Sequence, residues 1–296
     1  MTDTQNEVFK SPVNKIRLFE HGAPGSQNLK LTRKYYTEDM PDGRVKHIVQ
    51  NITDPDIVPY IPDGIGNSTD RQRIPAVLII PGGAFRRLVY NFEGEDVAKW
   101  LNSMGIAAFV LECRLPSDEH DNAEDVPLID AMRAMRVIRG RAQEFGIDEA
   151  KIGVMGFSAG GFMAALLSTA YESDVYADYK YKDEYDKLSA RPDFAVCSYP
   201  VISIDDCIEA GKRYMSEEQV LERISDSKAK ILHKYNPDKL VRPDMPPVFI
   251  CETDDDRTTL SENSVGFYMA ARKAGVSAEL HIFRTGGHGY GCGDDF

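Results

Sequence analysis

The residues with the clearest chemical potential surround one serine. Ser158 lies in Gly156-Phe-Ser-Ala-Gly160, directly after the apolar run 152–157 and before a helix-like stretch of small residues. The order strand, sharp turn, helix is that of a nucleophile elbow, which holds a serine hydroxyl exposed at a strained backbone angle. Gly156 and Gly160 leave space where the strand and helix backbones approach each other. The pattern predicts a nucleophilic serine; an idle serine in a glycine-rich turn is the alternative.

A histidine beyond the last predicted strand supplies the base that this chemistry requires. A serine hydroxyl is a weak nucleophile near neutral pH and needs an adjacent base, which a third group orients. On a sheet of this kind the partners follow in the order Ser, Asp, His, each in a loop after a strand. His288 lies in the glycine-rich segment 286–290, shortly after the predicted strand that ends at Phe283. We therefore predict His288 as the general base.

The acid belongs to a run of aspartates. Asp254, Asp255 and Asp256 follow the predicted strand 247–251, and we expect one of them to orient the histidine while the other two form the turn. Their spacing alone leaves all three open. A solvated turn and a site for a hard cation are the alternative interpretations of such a run. A metal needs further oxygen ligands at suitable spacing, and none stands out in the nearby sequence, so we predict no metal and no cofactor.

The same chemistry needs two backbone N–H groups for the oxyanion of the tetrahedral intermediate. One is expected from the residue after the nucleophile, Ala159, and the other from a glycine-rich turn after an early strand. The segment Pro81-Gly-Gly-Ala-Phe85 directly follows an apolar run and fits that requirement, with Gly83 or Ala84 as the donor. A plain β-turn is the alternative for this segment. Four features in the required order, each after a predicted strand, are more specific than any one of them.

Strands and helices alternate around these motifs. The predicted strands are 76–80, 107–111, 152–157, 194–199, 247–251 and 277–283, and the predicted helices are 95–104, 128–145 and 261–274. This alternation implies a mostly parallel sheet with helices on both faces and with ligands at the carboxyl edge of the strands. Period-two alternation in 45–52 and 57–61 predicts antiparallel strands at one edge of a sheet. We predict an α/β fold in a single domain, 1–296, with a candidate cap or insertion at about 203–245.

Composition disfavours several classes of partner. Of the 296 residues, 42% are hydrophobic and 28% charged, as in ordinary globular enzymes. The formal net charge of -12 repels phosphate backbones and anionic lipid, which disfavours nucleic-acid and membrane partners. The first residues lack the basic and apolar regions of a secretory signal, and no apolar run is long enough to span a membrane, so we predict a cytoplasmic protein. The five scattered cysteines lack a C-x-x-C pair and fit free thiols in a reducing compartment.

With these motifs the chain resembles the esterase branch of the α/β-hydrolase fold, and more closely the acetylesterases described as acetylxylan esterase-like or pectin acetylesterase-like. The shared segments are 81–85, 93–95, 100–106, 152–161, 188–194, 199–203, 262–264 and 286–289. The resemblance implies Ser158 as nucleophile, His288 as base and Asp255 as acid. In the same way it implies an oxyanion hole formed by three backbone N–H groups, those of Gly83, Ala84 and Ala159.

The resemblance also implies an activity. It is that of a serine carboxylesterase that removes acetyl groups from oligosaccharides derived from plant polysaccharides, through an acyl-enzyme. Two alternatives are a peptidase or amidase with the same three residues and a non-catalytic binding protein on this fold. Glu252 and Asp254 add carboxylates beside the acid that could disturb its hydrogen bonding. The tyrosines of segment 171–185 either stack on sugar rings or belong to an amphipathic insertion.

Overall fold

An eight-stranded sheet organises the residues that the computed structural model describes, which are 9–64, 73–213, 216, 218–219 and 229–292. In spatial order its strands are β1 (Ile16–Arg17), β4 (Asp56–Tyr60), β7 (Ala107–Glu112), β5 (Ile74–Ile80), β8 (Ile147–Phe157), β9 (Ala195–Ser198), β10 (Val248–Thr253) and β11 (Ala278–Phe283). Strands β7, β5, β8, β9, β10 and β11 run parallel, whereas β4 pairs antiparallel with β7 and β1 with β4. The predicted fold class is confirmed.

The central strands are buried on both faces, as their continuous apolar sequences predict. Every residue of β7 is buried, and so is β5 from Ala76 to its end at Ile80. Helices cover both faces of such strands, which removes the need for an alternating pattern. Because the strands are parallel, the carboxyl ends of β5, β8, β10 and β11 meet at one edge of the sheet. The loops that leave this edge carry all the predicted site residues.

The predicted antiparallel strands near the N-terminus divide between two sheets. Strand β4 lies at the edge of the main sheet, as predicted for residues 57–61. Residues 45–50 form β3 (Val45–Gln50) of a separate three-stranded sheet with β2 (Lys34–Asp39) and β6 (Leu88–Val89). The prediction of a common sheet edge was wrong for this strand, because β2 pairs along one side of it and β6 along the other.

Seven helices are described. They are α1 (Asp96–Ser103), α2 (Val126–Gly140), α3 (Ala142–Phe145), α4 (Ala159–Ala170), α5 (Ile204–Lys212), α6 (Ala229–Lys234) and α7 (Ser261–Lys273). A π-helical turn (Asn91–Glu95) precedes α1, and 3₁₀ turns lie at Glu184–Lys187 and Pro237–Lys239. The helix predicted over 128–145 is interrupted at Arg141, where the backbone leaves helical geometry after Gly140. None of the helices in the described ranges has the length and apolar character that crossing a membrane requires.

The predicted insertion at about 203–245 contributes α5, α6 and the second 3₁₀ turn, while its residues 214–215, 217 and 220–228 lie outside the described residues. Helix α6 is joined to the main body through the buried side chains of Ile231 and Leu232. Next to them, Lys234 Nζ donates to Asp125 at 2.7 Å. One continuous hydrophobic core runs through both faces of the sheet and includes these residues. We propose from this continuity that the chain forms one domain.

Candidate active site

The turn at Ser158 has the strained geometry of an elbow. It joins the end of β8 to the start of α4, and the serine has φ 52° and ψ -116°, a conformation that side-chain-bearing residues rarely adopt. The Ser158 backbone N–H donates to the carbonyl of Ser198 at 3.0 Å, which fixes the turn to β9. A Cβ at Gly156 would overlap the carbonyl oxygen of Gly160, and a Cβ at Gly160 would overlap that of Ile80. The close backbone approach predicted for these two glycines is therefore present.

Ser158 and His288 are in hydrogen-bond contact. Ser158 Oγ lies 2.9 Å from His288 Nε2, although 130 positions separate the two residues in the sequence. The serine is 9% exposed and the histidine side chain 21% exposed. The other ring nitrogen, Nδ1, faces a carboxylate, which accepts hydrogen bonds only. Nδ1 therefore carries the proton, and Nε2 can accept that of the serine.

The carboxylate that faces the histidine belongs to Asp256. Its Oδ2 accepts the Nδ1–H of His288 at 2.6 Å, and its side chain is completely buried. Its Oδ1 accepts the backbone N–H groups of Thr258 at 2.6 Å and Thr259 at 3.0 Å. Burial raises the pKa of Asp256, but the bond from His288 and the backbone donors outweigh it and bring the pKa below its ordinary value. The prediction of Asp255 as the orienting acid is corrected to Asp256.

Asp256 faces the histidine because of the path that the chain takes as it leaves β10. The Asp254 backbone N–H still donates to the carbonyl of Phe283 at 2.8 Å, one position beyond the paired strands. A turn closed from the Asp256 N–H to the Thr253 carbonyl follows at 3.3 Å. Asp254 and Asp255 consequently stay exposed, and Asp256 is the first of the three whose side chain points inwards.

Asp255 has a separate position beside the histidine loop. Its Oδ1 accepts the backbone N–H of Gly287 at 2.8 Å, and this bond lowers the pKa of Asp255. Thr253 Oγ donates to the carbonyl of the same glycine at 2.9 Å. The loop that carries His288 is thus attached through both the N–H and the carbonyl of Gly287, to Asp255 and to the end of β10.

A second buried carboxyl group lies close to the acid. Glu252 is fully buried at the end of β10, where its Oε1 accepts the backbone N–H of Thr253 at 2.9 Å and its Oε2 lies 3.4 Å from the hydroxyl of Ser264. Burial, together with the charge of the neighbouring Asp256, raises the pKa of Glu252 to about 8. At neutral pH the group is therefore mainly uncharged. A neutral carboxyl at this position disturbs the hydrogen bonds of Asp256 less than a second carboxylate would.

The glycine-rich turn after β5 lies beside the serine. A Cβ at Gly82 would come within 3.0 Å of the Cβ of Ser158. The N–H of Gly82 is directed away from the serine hydroxyl to the carboxylate of Glu93, where it donates to Oε2 at 2.8 Å. Gly82 is thus engaged and is no candidate for binding an oxyanion.

The three residues predicted as oxyanion donors lie in this turn and at the start of α4. Gly83 has φ 137° and Ala84 has φ 56°, so both lie in the left-handed region that favours glycine. The turn is closed by the Arg86 N–H, which donates to the Gly83 carbonyl at 3.2 Å. Ala159 is the first residue of α4, where backbone N–H groups have no intrahelical acceptor. All three residues stay candidates for the oxyanion hole.

Sequence reasoning missed two residues at this site, Glu93 and Tyr199. Glu93 is buried in the π-helical turn, and the Tyr199 hydroxyl donates to its Oε1 at 2.9 Å. The Tyr199 ring lies 5.1 Å from the imidazole of His288, edge to face. The position of Tyr199 directly after a parallel strand was a usable signal, since that edge carries the site. Glu93 stands in the shared segment 93–95, but its sequence position suggests no role, because most glutamates are exposed.

The tyrosine-rich segment packs against the protein. The hydroxyls of Tyr171, Tyr176 and Tyr179 donate to acceptors elsewhere in the chain at 2.8 to 2.9 Å. Tyr181 is 43% exposed and is the clearest exception. The contacts favour the amphipathic interpretation over a row of rings that stack on sugars.

A hydroxyl, an imidazole and a carboxylate in one hydrogen-bonded line, in the chain order Ser158, Asp256, His288 and at the carboxyl edge of a mostly parallel sheet, are the features of the α/β-hydrolase class of proteins. The model of the BD-FAE family matches residues 65–270, and the chain belongs to that family. The resemblance stated from the sequence motifs is confirmed at the level of fold and of an acetylesterase-like family.

Two curated relatives from bacteria match about three quarters of the chain. The acetylxylan esterase of Xylanibacter ruminicola is 31% identical over 75% of this chain and 42% of its own length. The endo-1,4-beta-xylanase B of Butyrivibrio fibrisolvens is 31% identical over 76% of this chain and 34% of its own length. The chain therefore spans less than half the length of each of these curated relatives.

Solved structures match most of the chain. The acetyl ester-xyloside bifunctional hydrolase of Caldicellulosiruptor lactoaceticus is 38% identical, with 80% of each chain covered and a TM-score of 0.63. The esterase Est2 of Thermogutta terrifontis is 24% identical, with 90% of this chain and 86% of Est2 covered and a TM-score of 0.61. At 24% identity the similarity to Est2 concerns the fold alone.

Proposed function

We propose that the protein is a serine esterase that removes short acyl groups, acetyl above all, through an acyl-enzyme, with Ser158, His288 and Asp256 as its catalytic triad. The observation that carries the proposal is the 2.9 Å contact between Ser158 Oγ and His288 Nε2, with Asp256 on the far side of the ring. This is the arrangement in which an imidazole makes a serine hydroxyl nucleophilic.

The first half of the proposed reaction is acylation. His288 Nε2 takes the proton of Ser158 as Oγ bonds to the ester carbonyl carbon, and the carbonyl π pair moves onto the oxygen. The N–H groups of Gly83, Ala84 and Ala159 would stabilise that oxyanion, since fixed donors aimed at developing charge give a large share of such catalysis. The tetrahedral intermediate then collapses. The bond to the alcohol oxygen breaks, and the imidazolium gives its proton to the leaving alkoxide.

The second half is deacylation by water. Nε2 takes a proton from the water as its oxygen attacks the acyl carbon. Collapse of the second intermediate releases the carboxylic acid and returns the proton to Ser158 Oγ. The Asp256 carboxylate keeps its charge throughout and stabilises the imidazolium that forms in each half.

The proposed substrates are acetylated oligosaccharides from plant polysaccharides, xylan first. Support comes from three similar proteins, which are named as an acetylxylan esterase, an endo-1,4-beta-xylanase and an acetyl ester-xyloside bifunctional hydrolase. We suggest a small-molecule or oligosaccharide ester as the partner of the site.

The experiment that tests the activity compares the wild-type protein with Ser158→Ala on p-nitrophenyl acetate. Loss of the nucleophile from such a unit lowers turnover by roughly 10⁶-fold, so the variant should not exceed the uncatalysed background. A fluorophosphonate probe should label the wild-type protein and leave the variant unlabelled. Equal turnover by both proteins would place the chemistry elsewhere. A wild-type protein that neither turns over nor reacts would favour the non-catalytic binding protein.

A substrate panel then separates the classes of ester and amide. Acetylated xylan, mannan and pectin fragments are incubated beside aminoacyl amides, and released acetate or amine is measured. Release of acetate from xylan fragments at the highest kcat/KM is the expected result. Cleavage of the amides with no release of acetate would replace the esterase by the peptidase alternative.

A further inference from the structure

Glu93 carries a buried carboxyl group that lies between the turn after β5 and the loop of His288. It lies in the π-helical turn, where the Glu95 N–H donates to the Tyr90 carbonyl five positions back at 2.8 Å. Asn91 fixes this turn to β3, since its side chain accepts the His47 N–H at 2.9 Å. Glu93 itself is 5% exposed. Single π-helical turns of this kind occur frequently at functional sites.

The two oxygens of Glu93 accept hydrogen bonds from two different parts of the site. Oε2 accepts the N–H of Gly82 in the turn that carries the candidate oxyanion donors, at 2.8 Å. Oε1 accepts the hydroxyl of Tyr199 at 2.9 Å, and the same hydroxyl accepts the backbone N–H of Gly291 at 3.1 Å. Gly291 belongs to the loop of His288. A bonded chain of four residues thus connects the oxyanion turn with the histidine loop.

Tyr199 also contacts His288 directly and is connected to Asp256 through Thr259. Its ring lies edge to face with the imidazole of His288, with ring centres 5.1 Å apart. Its backbone carbonyl lies 3.3 Å from the hydroxyl of Thr259, which in turn donates to Asp256 at 2.9 Å. The residue has φ 37°, a left-handed conformation that is uncommon for a tyrosine. Because Tyr199 is held in this conformation by bonds on several sides, a shift of its ring or hydroxyl would also shift the groups that it contacts.

We propose that Glu93 is a positioning residue of the esterase, which acts through Gly82 on the oxyanion turn and through Tyr199 on the histidine loop. The inference rests on the proposed function. The chemical reason is that two donors approach from separate loops into a space closed to water, and a carboxylate offers one acceptor oxygen to each. Fixed geometry of donors and base is what makes such a site effective, and an ångström of displacement lowers turnover about a hundredfold.

Burial also disfavours an alternative role for this group. It raises the pKa of Glu93, against the opposing effect of the bonds from Tyr199 and Gly82. The residue is 5% exposed and each oxygen accepts from a donor of the protein itself, so the group lies within the protein rather than open to a substrate. Glu93 is therefore assigned no catalytic step of its own.

The test uses Glu93→Ala and Glu93→Gln, with Glu95→Gln as the matched control. Glu95 lies two positions away in the same turn, and its carboxylate pairs with Lys99 at 2.7 Å on the outside. Turnover of p-nitrophenyl acetate is measured per site titrated with a fluorophosphonate. Inhibition by phenylboronic acid is measured as well, because its tetrahedral adduct with the serine needs the oxyanion donors and the histidine together.

For Glu93→Ala we expect a fall in kcat of about 10² to 10³-fold with KM changed by less than about threefold, since the misplaced groups act in the transition state. The Ki of phenylboronic acid should rise by a factor similar to the fall in kcat/KM. Glu93→Gln should recover kcat to within about tenfold of wild type, because its amide oxygen can accept from Gly82 while the Tyr199 hydroxyl rotates to accept from its NH₂. The control should match wild type.

A purely structural role gives a different result. Glu93→Ala would then unfold at a lower urea concentration, with kcat per titrated site and the boronic acid Ki unchanged, and the proposal would be overturned. If Glu93→Ala does not fold, Tyr199→Phe decides. It keeps the ring and removes the hydroxyl that joins Glu93 to Gly291, and an unchanged kcat contradicts the proposal, whereas a fall of about tenfold supports it.

The dependence of wild-type turnover on Ser158 separates the positioning role of Glu93 from the esterase activity itself. If wild-type turnover depends on Ser158 and the Glu93 variants behave as wild type, the esterase stands and the positioning role falls. If the wild-type protein has no turnover that depends on Ser158, the proposed function falls first, and the positioning role falls with it.

Discussion

Replacing Asp256 by asparagine is the sharpest test of the triad. The two backbone N–H groups that bind Oδ1, from Thr258 and Thr259, decide how the new amide lies. Its oxygen must stay with those donors, so its NH₂ faces Nδ1 of His288. The ring then has to accept at Nδ1 and carry its proton on Nε2, which faces Ser158. In that tautomer the imidazole cannot take the proton of the serine.

The magnitude follows from the alternative orientation. Turning the amide round would place its NH₂ against the buried N–H of Thr259 and the partly buried N–H of Thr258, at about 1 to 3 kcal/mol for the buried group and less for the other. The productive tautomer is thus disfavoured by roughly 2 to 4 kcal/mol, equivalent to about 30- to 10³-fold in rate. Loss of the charge that stabilises the imidazolium adds to this effect. We expect Asp256→Asn to lower kcat by about 10³ to 10⁴-fold, within the range seen for such changes in serine proteases.

Asp255→Asn, at the preceding position, is the matched control. The side chain of Asp255 is exposed, and its Oδ1 accepts the N–H of Gly287, a role that an amide oxygen also performs. Its kcat should stay within about threefold of wild type. The assay is turnover of p-nitrophenyl acetate, with urea denaturation to show that both variants are folded. A large loss with Asp255→Asn and a small loss with Asp256→Asn would refute the assignment, and two small losses would refute an orienting acid altogether.

The remaining predictions concern stability. Gly160→Ala puts a methyl group onto the carbonyl oxygen of Ile80, so its free energy of unfolding should fall by about 3 kcal/mol or more. At Gly266, on the exposed side of α7, an added Cβ would meet nothing within 4 Å, so Gly266→Ala should raise the free energy of unfolding by about 0.5 to 1 kcal/mol. Urea denaturation measures both variants, and a change of the same sign in the two would contradict the contact at the elbow. The pKa of Glu252, raised from 4.5 to about 8, means that its contribution to stability is complete below pH 4.5 and is lost as the pH rises to about 8. Unfolding free energies between pH 5 and 8.5 should therefore carry a downward component from this group of up to about 1.4 kcal/mol per pH unit, and Glu252→Gln should remove it; an identical pH dependence in that variant would refute the assignment.

Much of the site was predictable because its signals are local. The elbow around Ser158 depends on a strand, a turn and a helix that are adjacent in the chain, and its glycines are required by contacts within a few positions or with the neighbouring strand. His288 was predictable from its order after the last strand. The apolar runs of β5 and β7 identified strands covered on both faces, and with them the edge at which the loops meet.

The identity of the aspartate that faces the imidazole was not predictable in the same way. Asp254, Asp255 and Asp256 have the same chemistry and adjacent positions, and they differ only in where β10 stops pairing with β11. One additional hydrogen bond, from the Asp254 N–H to Phe283, moves the inward position to Asp256. A family pattern carries such a choice only while the loop has the same length and the same register.

The amino-acid sequence by itself indicated the fold class, the proposed nucleophile, the proposed base and the edge of the sheet where they meet, because hydrophobic periodicity and turn chemistry act over short stretches of chain. Only the tertiary structure decided which aspartate faces the imidazole and that Glu93 lies between the oxyanion turn and the histidine loop. Those facts depend on donors and acceptors that come from distant segments, and a buried carboxylate is stable only when such partners converge on it.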